Sequence, residues 1–138
     1  MMDSSDIKIL RMLLRDARAP LSRISKELGI SMPATQKRIE HLKSKGIIIG
    51  STILINNSMI GWKRTIVALN ARKAEYDSIL EQIAKFPLVT GVSQTTGPYS
   101  IIVELQGPSG VVNAVITHIK KLYGISDCCA ISIAEKVV

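Results

Sequence analysis

The sequence predicts an α+β chain in two parts: an N-terminal three-helix module containing a helix-turn-helix, and a C-terminal βαββαβ unit of the ferredoxin-like class. Three observations predict it. Residues 21–42 read as two short helices joined by a tight turn. From residue 63 onward, β-branched strand-like runs alternate with amphipathic helical ones. Between the two patterns lies Asn56-Asn57-Ser58-Met59-Ile60-Gly61, rich in turn formers. The expected boundaries are a helix-turn-helix domain at 1–50, a hinge strand or linker at 51–61 and a ferredoxin-like domain at 62–138.

The first helix is expected to begin after Ser4 or Ser5 as cap and to run to about residue 17, with Ile7, Leu10 and Leu14, supported by Leu13, as its apolar stripe. Pro20 suits the first turn of the second helix, where its missing N–H leaves no bond unmade. Ile24 and Leu28 lie four apart on one face of that helix, Gly29 breaks it, Ile30 plugs the turn, and Ser31 caps the third helix. Thr35, Ile39 and Leu42 form the inward stripe of the third helix. Gln36, Lys37, Glu40 and His41 occupy its remaining face, with Ser31, Met32 and Pro33 at its tip. It should end near Ser44-Lys45-Gly46, with basic residues in the last turn and a glycine beyond. Residues 47–55, β-branched and interrupted by Gly50, read as a short wing hairpin or an extended hinge strand. The second part follows as strand 63–71, helix 75–86, strand 89–95, strand 99–105, helix 109–122 and strand 127–137. Such a unit forms a four-stranded antiparallel sheet with two helices on one face, leaving the other face for a partner or ligand.

The formal net charge of +7 is unevenly placed: residues 1–50 hold ten basic and five acidic side chains, residues 51–138 eight and six. The cationic excess therefore falls on the helix-turn-helix pattern, where Lys and Arg neutralise phosphates and release counterions. A recognition helix pushes its N-terminal end into the major groove, so the pattern points to double-stranded DNA. The candidate contacts are Ser31, Met32, Pro33, Gln36, Lys37, Arg38 and His41. Gln36 carries the donor and acceptor that pair with adenine, Lys37 and Arg38 suit phosphate or guanine, and Ser31 suits a phosphate at the helix N-terminus. Arg38, beside the core position Ile39, has a structural alternative in an ion pair with Glu27 or Glu40. Modules of about 50 to 80 residues bury little surface alone, so oligomerisation is expected to supply part of the missing buried surface. Two-fold pairing would present two recognition helices to successive major grooves, hence an imperfect palindrome as target.

No apolar run reaches the roughly 20 residues that cross a bilayer, and the first residues lack a basic region followed by an apolar core, so a cytoplasmic protein is expected. Cys128 and Cys129 are adjacent, a spacing unlike a disulfide framework or a zinc site. On a strand they point to opposite faces as packing residues, the alternative being a redox or metal role. His41 and His118 fall in different predicted domains with no carboxylate or cysteine at ligand spacing, so neither a metal nor a cofactor is expected.

Asp6-Ile7-Lys8-Ile9-Leu10, then Gly29-Ile30-Ser31 through Arg38-Ile39-Glu40-His41-Leu42, then Lys45-Gly46-Ile47-Ile48 and Ile60-Gly61, together resemble the Lrp/AsnC family, the leucine-responsive or feast/famine regulators, along nearly the whole chain. The resemblance implies a transcriptional regulator rather than an enzyme, with ferredoxin-like halves that pair into dimers and larger rings and bind small molecules, often amino acids, between dimers. Ser25 stands where the family usually has alanine. Gly97-Pro98-Tyr99-Ser100 resembles the family's glycine, aromatic, aspartate turn beside the effector pocket, with Ser100 in place of the acid. A bound α-ammonium would there forgo one charge-assisted hydrogen bond. The resemblance thus makes Gly97, Pro98, Tyr99 and Ser100 the effector candidates, and Thr96 near the turn and Ser132 on the last strand are added as polar residues expected to reach the same crevice; the alternative is an ordinary glycine-proline hairpin turn that needs no ligand. Two rival readings share the two-domain plan. One is an enzyme similar to siroheme decarboxylases, which needs histidine and arginine around an anionic tetrapyrrole, whereas the second half offers the single histidine His118. The other is an architectural DNA-binding protein that senses no metabolite.

Overall fold

Capping side chains and left-handed glycines set the helix ends of the first unit, Met1–Leu54, in the computed structural model, which describes residues 2–134. Helix α1 spans Ser4–Arg15, α2 spans Leu21–Leu28 and α3 spans Met32–Ser44. Asp3, not Ser4 or Ser5, caps α1. Its carboxylate accepts the Asp6 N–H at 2.9 Å, and the Asp6 carboxylate accepts the Asp3 N–H at 3.3 Å, a reciprocal capping box at the positive end of the helix.

The inward face of α1 also differs from the expected stripe. Ile9 is fully buried and Asp6 nearly so, whereas Ile7 is 41% and Leu14 86% exposed. Leu10, Met12 and Leu13 pack partly against the core. The helix is rotated by about one residue, some 100°, from the face that apolarity alone selects, because Asp6 must face α3. It ends at Arg15, where the Asp16 N–H bonds the Met12 carbonyl and the Asp16 side chain takes the Arg18 N–H.

Pro20 is the half-in residue before α2, its carbonyl accepting from Arg23 and Ile24. Gly29, at φ 67°, ends the helix with a paired closure: its N–H reaches the Lys26 carbonyl and the Ile30 N–H reaches that of Ser25. The same device ends α3, with Gly46 bonding Lys43 and Ile47 bonding Leu42. Ile9, Ile24, Ile39 and Leu42 form the core. Ser25 is buried among them, and its hydroxyl is satisfied by donating to the Ser22 carbonyl at 3.0 Å. Residues 49–56 form neither a wing hairpin nor any other paired strand. Among the described residues no second segment lies alongside to complete their backbone bonds, and Ile49, Ile53 and Leu54 are exposed.

The second unit, Ile55–Val138, opens with a 3-10 turn at Asn57–Ile60. Strand β1 is Trp62–Ala71, α4 Tyr76–Ala84, β2 Val89–Gln94, β3 Ile101–Pro108, α5 Ser109–Lys120 and β4 Ile125–Ile133. The sheet order is β2-β3-β1-β4 with every pair antiparallel, the ferredoxin-like arrangement. Helix α4 stops short of Phe86 because Pro87 excludes helical backbone at the residue before it. The last expected residues of the final strand, 135–137, lie outside the described residues.

Alternation along the strands divides the sheet faces. Val67 and Leu69 of β1 and Ile101, Val103 and Leu105 of β3 meet Ile79 and Ile83 of α4 and Val112, Ile116 and Ile119 of α5 in one core. On the opposite face Ile66 of β1 pairs with Glu104 and Ile131, and Ala68 with Ile102 and Cys129. Cys128 joins the core side, where burial pushes its thiol above the ordinary value. No helix among the described residues is long and apolar enough to cross a membrane, and none of their His, Cys, Asp and Glu side chains gather in threes to hold a metal.

Candidate nucleic-acid interface

The site begins with how α3 is held. The Ser31 hydroxyl accepts the Ala34 N–H at 3.2 Å, and Thr35, fully buried, returns its own hydroxyl to the Ser31 carbonyl at 2.9 Å. Pro33 fits the first turn, where no N–H is required. With Thr35, Ile39 and Leu42 buried, a step of about 100° per residue puts Pro33, Lys37, Glu40 and Ser44 on the outward face, Lys37 near its middle. Met32, Pro33, Lys37, Glu40 and His41 are exposed, while Gln36 and Arg38 on the two flanks are half-buried. The six other sequence candidates therefore share one end and one side of α3, and Arg38 looks back toward α1.

Arg38 makes an ion pair, but its partners are Asp3 and Asp6, not Glu27 or Glu40. Its Nη1 donates to Asp3 Oδ2 at 2.7 Å and to Asp6 Oδ1 at 3.0 Å. One guanidinium thus ties α3 to the capping box of α1. The Asp6 backbone N–H first, and the Arg38 guanidinium second, hold the Asp3 carboxyl below its ordinary 3.8. Because the folded value is depressed, the clamp stabilises the unit above pH 3.8 and that contribution is lost as pH falls through the lower folded value. The Asp3 carboxyl should accordingly titrate with a midpoint below the ordinary 3.8. An Asp3 carboxyl resonance with its midpoint at or above 3.8 in a pH series by NMR would contradict the clamp. On the other flank, Gln36 Nε2 donates to Glu40 Oε1 at 2.7 Å.

The turn between β2 and β3 is pinned to β1. Thr95 N–H donates to the Ser100 carbonyl at 2.9 Å, Thr95 Oγ1 to the Tyr99 carbonyl at 2.7 Å, Ser100 N–H to the Leu69 carbonyl at 3.1 Å and Asn70 Nδ2 to the Pro98 carbonyl at 2.8 Å. Strand β3 starts at Ile101 rather than at residue 99, directly after this turn. Gly97 takes φ 122°, open to few other residues. Thr96, Gly97 and Pro98 are exposed, and Tyr99 and Ser100 are half-buried. The Asp127 carboxylate, followed by Cys129, holds the Tyr99 phenol above its ordinary value.

Ser132 does not join this turn within the chain. It faces Thr65, hydroxyl to hydroxyl at 3.2 Å, four residues along β1 from Leu69. That separation is about 13 Å at the rise of a β-strand. Antiparallel β4 runs away from the turn, so its first residues are the near ones, with Asp127 opposite Asn70. Asp3, Asp6, Asn70 and Asp127 were therefore missed as neighbours of the two candidate sites. The Asp3-x-x-Asp6 spacing before an apolar run and the antiparallel β1–β4 register were the available signals.

The AsnC-type helix-turn-helix domain matches residues 2–43. Over 140 residues the chain is 33% identical to the HTH-type transcriptional regulator LrpA of Pyrococcus horikoshii, with 99% of each chain covered. The structure of E. coli AsnC matches 100% of this chain with 95% of its own at TM-score 0.73 and 25% identity. A transcriptional regulator of Neisseria meningitidis, solved as an L-Met complex, matches 100% of this chain with 93% of its own at TM-score 0.79 and 17% identity.

Proposed function

The chain belongs to the Lrp/AsnC family of DNA-binding transcriptional regulators and is not an enzyme, and from that premise we propose that the outward face of α3 enters the major groove. Residues 1–50 act as the DNA-binding module, 51–61 as a hinge, and 62–138 as the part that dimerises and senses an effector. Ser31, Met32, Pro33, Gln36, Lys37 and His41 meet the DNA. Arg38 acts from behind, positioning α3 against α1. The carrying observation is the placement of Lys37 at the centre of an exposed helix face with, among the described residues, no ion-pair partner. A homodimer, assembling further into an oligomer of dimers, reads an imperfect palindrome in the cytoplasm. A gel-shift titration tests this: affinity for duplex falls steeply as salt rises, by counterion release, and a flat salt dependence contradicts it.

The effector site is the turn at residues 96–100, together with Tyr99's neighbour Asp127. Its resemblance to the family's effector turn supports this, and the Neisseria relative solved with L-Met makes an amino acid the first ligand to try. Asp127 offers the carboxylate that Ser100 does not. A thermal-shift screen with amino acids tests it, since a ligand at 100 times its Kd stabilises by about 2.7 kcal/mol. The Asp127→Asn variant should lose that shift. No shift with any amino acid would contradict the effector reading and leave the architectural one.

A further inference from the structure

The outward face of α3 carries one residue of the wrong sign for a surface that meets phosphates. Glu40 is exposed beside Lys37, where a carboxylate weakens attraction to any duplex. It is also engaged: its Oε1 takes the 2.7 Å hydrogen bond from Gln36 Nε2 one helical turn earlier. That bond fixes which way the Gln36 amide points. One amide proton is spent on Glu40, and the other is left beside the amide oxygen as an adjacent donor and acceptor. Adenine presents the complement in the major groove, the N7 acceptor and the N6 donor. Guanine presents two acceptors, N7 and O6, which would meet the Gln36 oxygen and the Glu40 carboxylate with like polarity. Without Glu40 the amide is free to turn over, and its preference between the two purines weakens.

We propose that Glu40 is a specificity-determining residue, a positioning group that orients Gln36 for adenine and disfavours guanine while lowering affinity for DNA in general. This rests on the reading of α3 as the groove-inserted helix. The residue thus contributes to selectivity through repulsion as well as attraction.

The test is selection of binding sites from random duplex, followed by fluorescence anisotropy on selected and random sequences, with wild type, Glu40→Ala, Glu40→Gln, Gln36→Ala and Gln36→Ala/Glu40→Ala. Alanine suits an exposed helical position, and thermal melting confirms that each variant folds. Glu40→Ala should bind random duplex about two- to fivefold more tightly and lose about fivefold or more of its adenine preference at one position per half-site. Glu40→Gln removes the charge but retains a hydrogen-bonding amide, so its random-duplex affinity should rise likewise. In the Gln36→Ala background, Glu40→Ala should no longer change base preference, because the group being oriented is gone. Unchanged base preference in Glu40→Ala, or weaker binding to random duplex, overturns the proposal. If wild type itself selects no base and Lys37→Ala binds normally, it is the underlying reading of α3 that has failed.

Discussion

Ile24→Ala should unfold the three-helix unit while the ferredoxin-like unit stays folded. Ile24 is fully buried in a core whose other buried apolar members, among the described residues, are Ile9, Ile39 and Leu42, so its truncation removes one of four central side chains. Truncating a buried isoleucine to alanine costs about 2–5 kcal/mol. A unit of about 54 residues is stable by only about 3–8 kcal/mol at the usual per-residue value, so the loss is comparable with the whole. Hydrogen exchange read by NMR checks it, with amides of α2 and α3 losing protection while those of β1 and β3 keep theirs. Retained protection in α3 would mean that the core described above does not hold the recognition helix.

Lys37→Ala should weaken DNA binding about five- to tenfold at low salt and reduce the slope of log affinity against log salt by about one, whatever the DNA sequence. The reason is geometric. Lys37 lies near the middle of the exposed side of α3, opposite Thr35, Ile39 and Leu42, and is engaged in no ion pair among the described residues. Arg38→Ala acts differently. Its guanidinium is occupied at 2.7 and 3.0 Å by Asp3 and Asp6, so its removal should lower the melting temperature of the unit and weaken DNA binding only through that loss. Anisotropy across a salt series, beside a thermal melt of each variant, separates the two roles. Equal salt slopes for wild type and Lys37→Ala would remove Lys37 from the interface.

Much of this was legible in the residues because local rules and global packing agree. Gly29, Ser31 and Gly46 fix the ends of α2 and α3 through backbone conformation and capping, which act within a turn of sequence. Thr35, Ile39 and Leu42 are the inward positions of α3 under a single period, with few competing apolar residues. Helix α1 was not legible in the same way. Its apolar residues Ile7, Ile9, Leu10, Met12, Leu13 and Leu14 surround the helix, so periodicity selects no single face. The inward face is chosen by Asp6, whose partner Arg38 lies 32 residues away. Residues 47–55 carry strand-forming side chains but have no partner strand among the described residues, and propensity cannot supply one. At the turn proposed for the effector, the residues identified the turn itself but not its neighbours. Ser132 and Asp127 exchange places as the near residue because register, set by the whole β1–β4 ladder, decides distance along a strand.

The most direct measurement is a chemical-shift titration of the isotope-labelled full chain with a selected duplex. Perturbations should concentrate at Ser31, Met32, Gln36, Lys37, Glu40 and His41, with Arg38 and the α1 capping box little changed. Perturbations that leave residues 31–41 silent while the duplex is bound would place the DNA on another surface and contradict α3 as the reading helix.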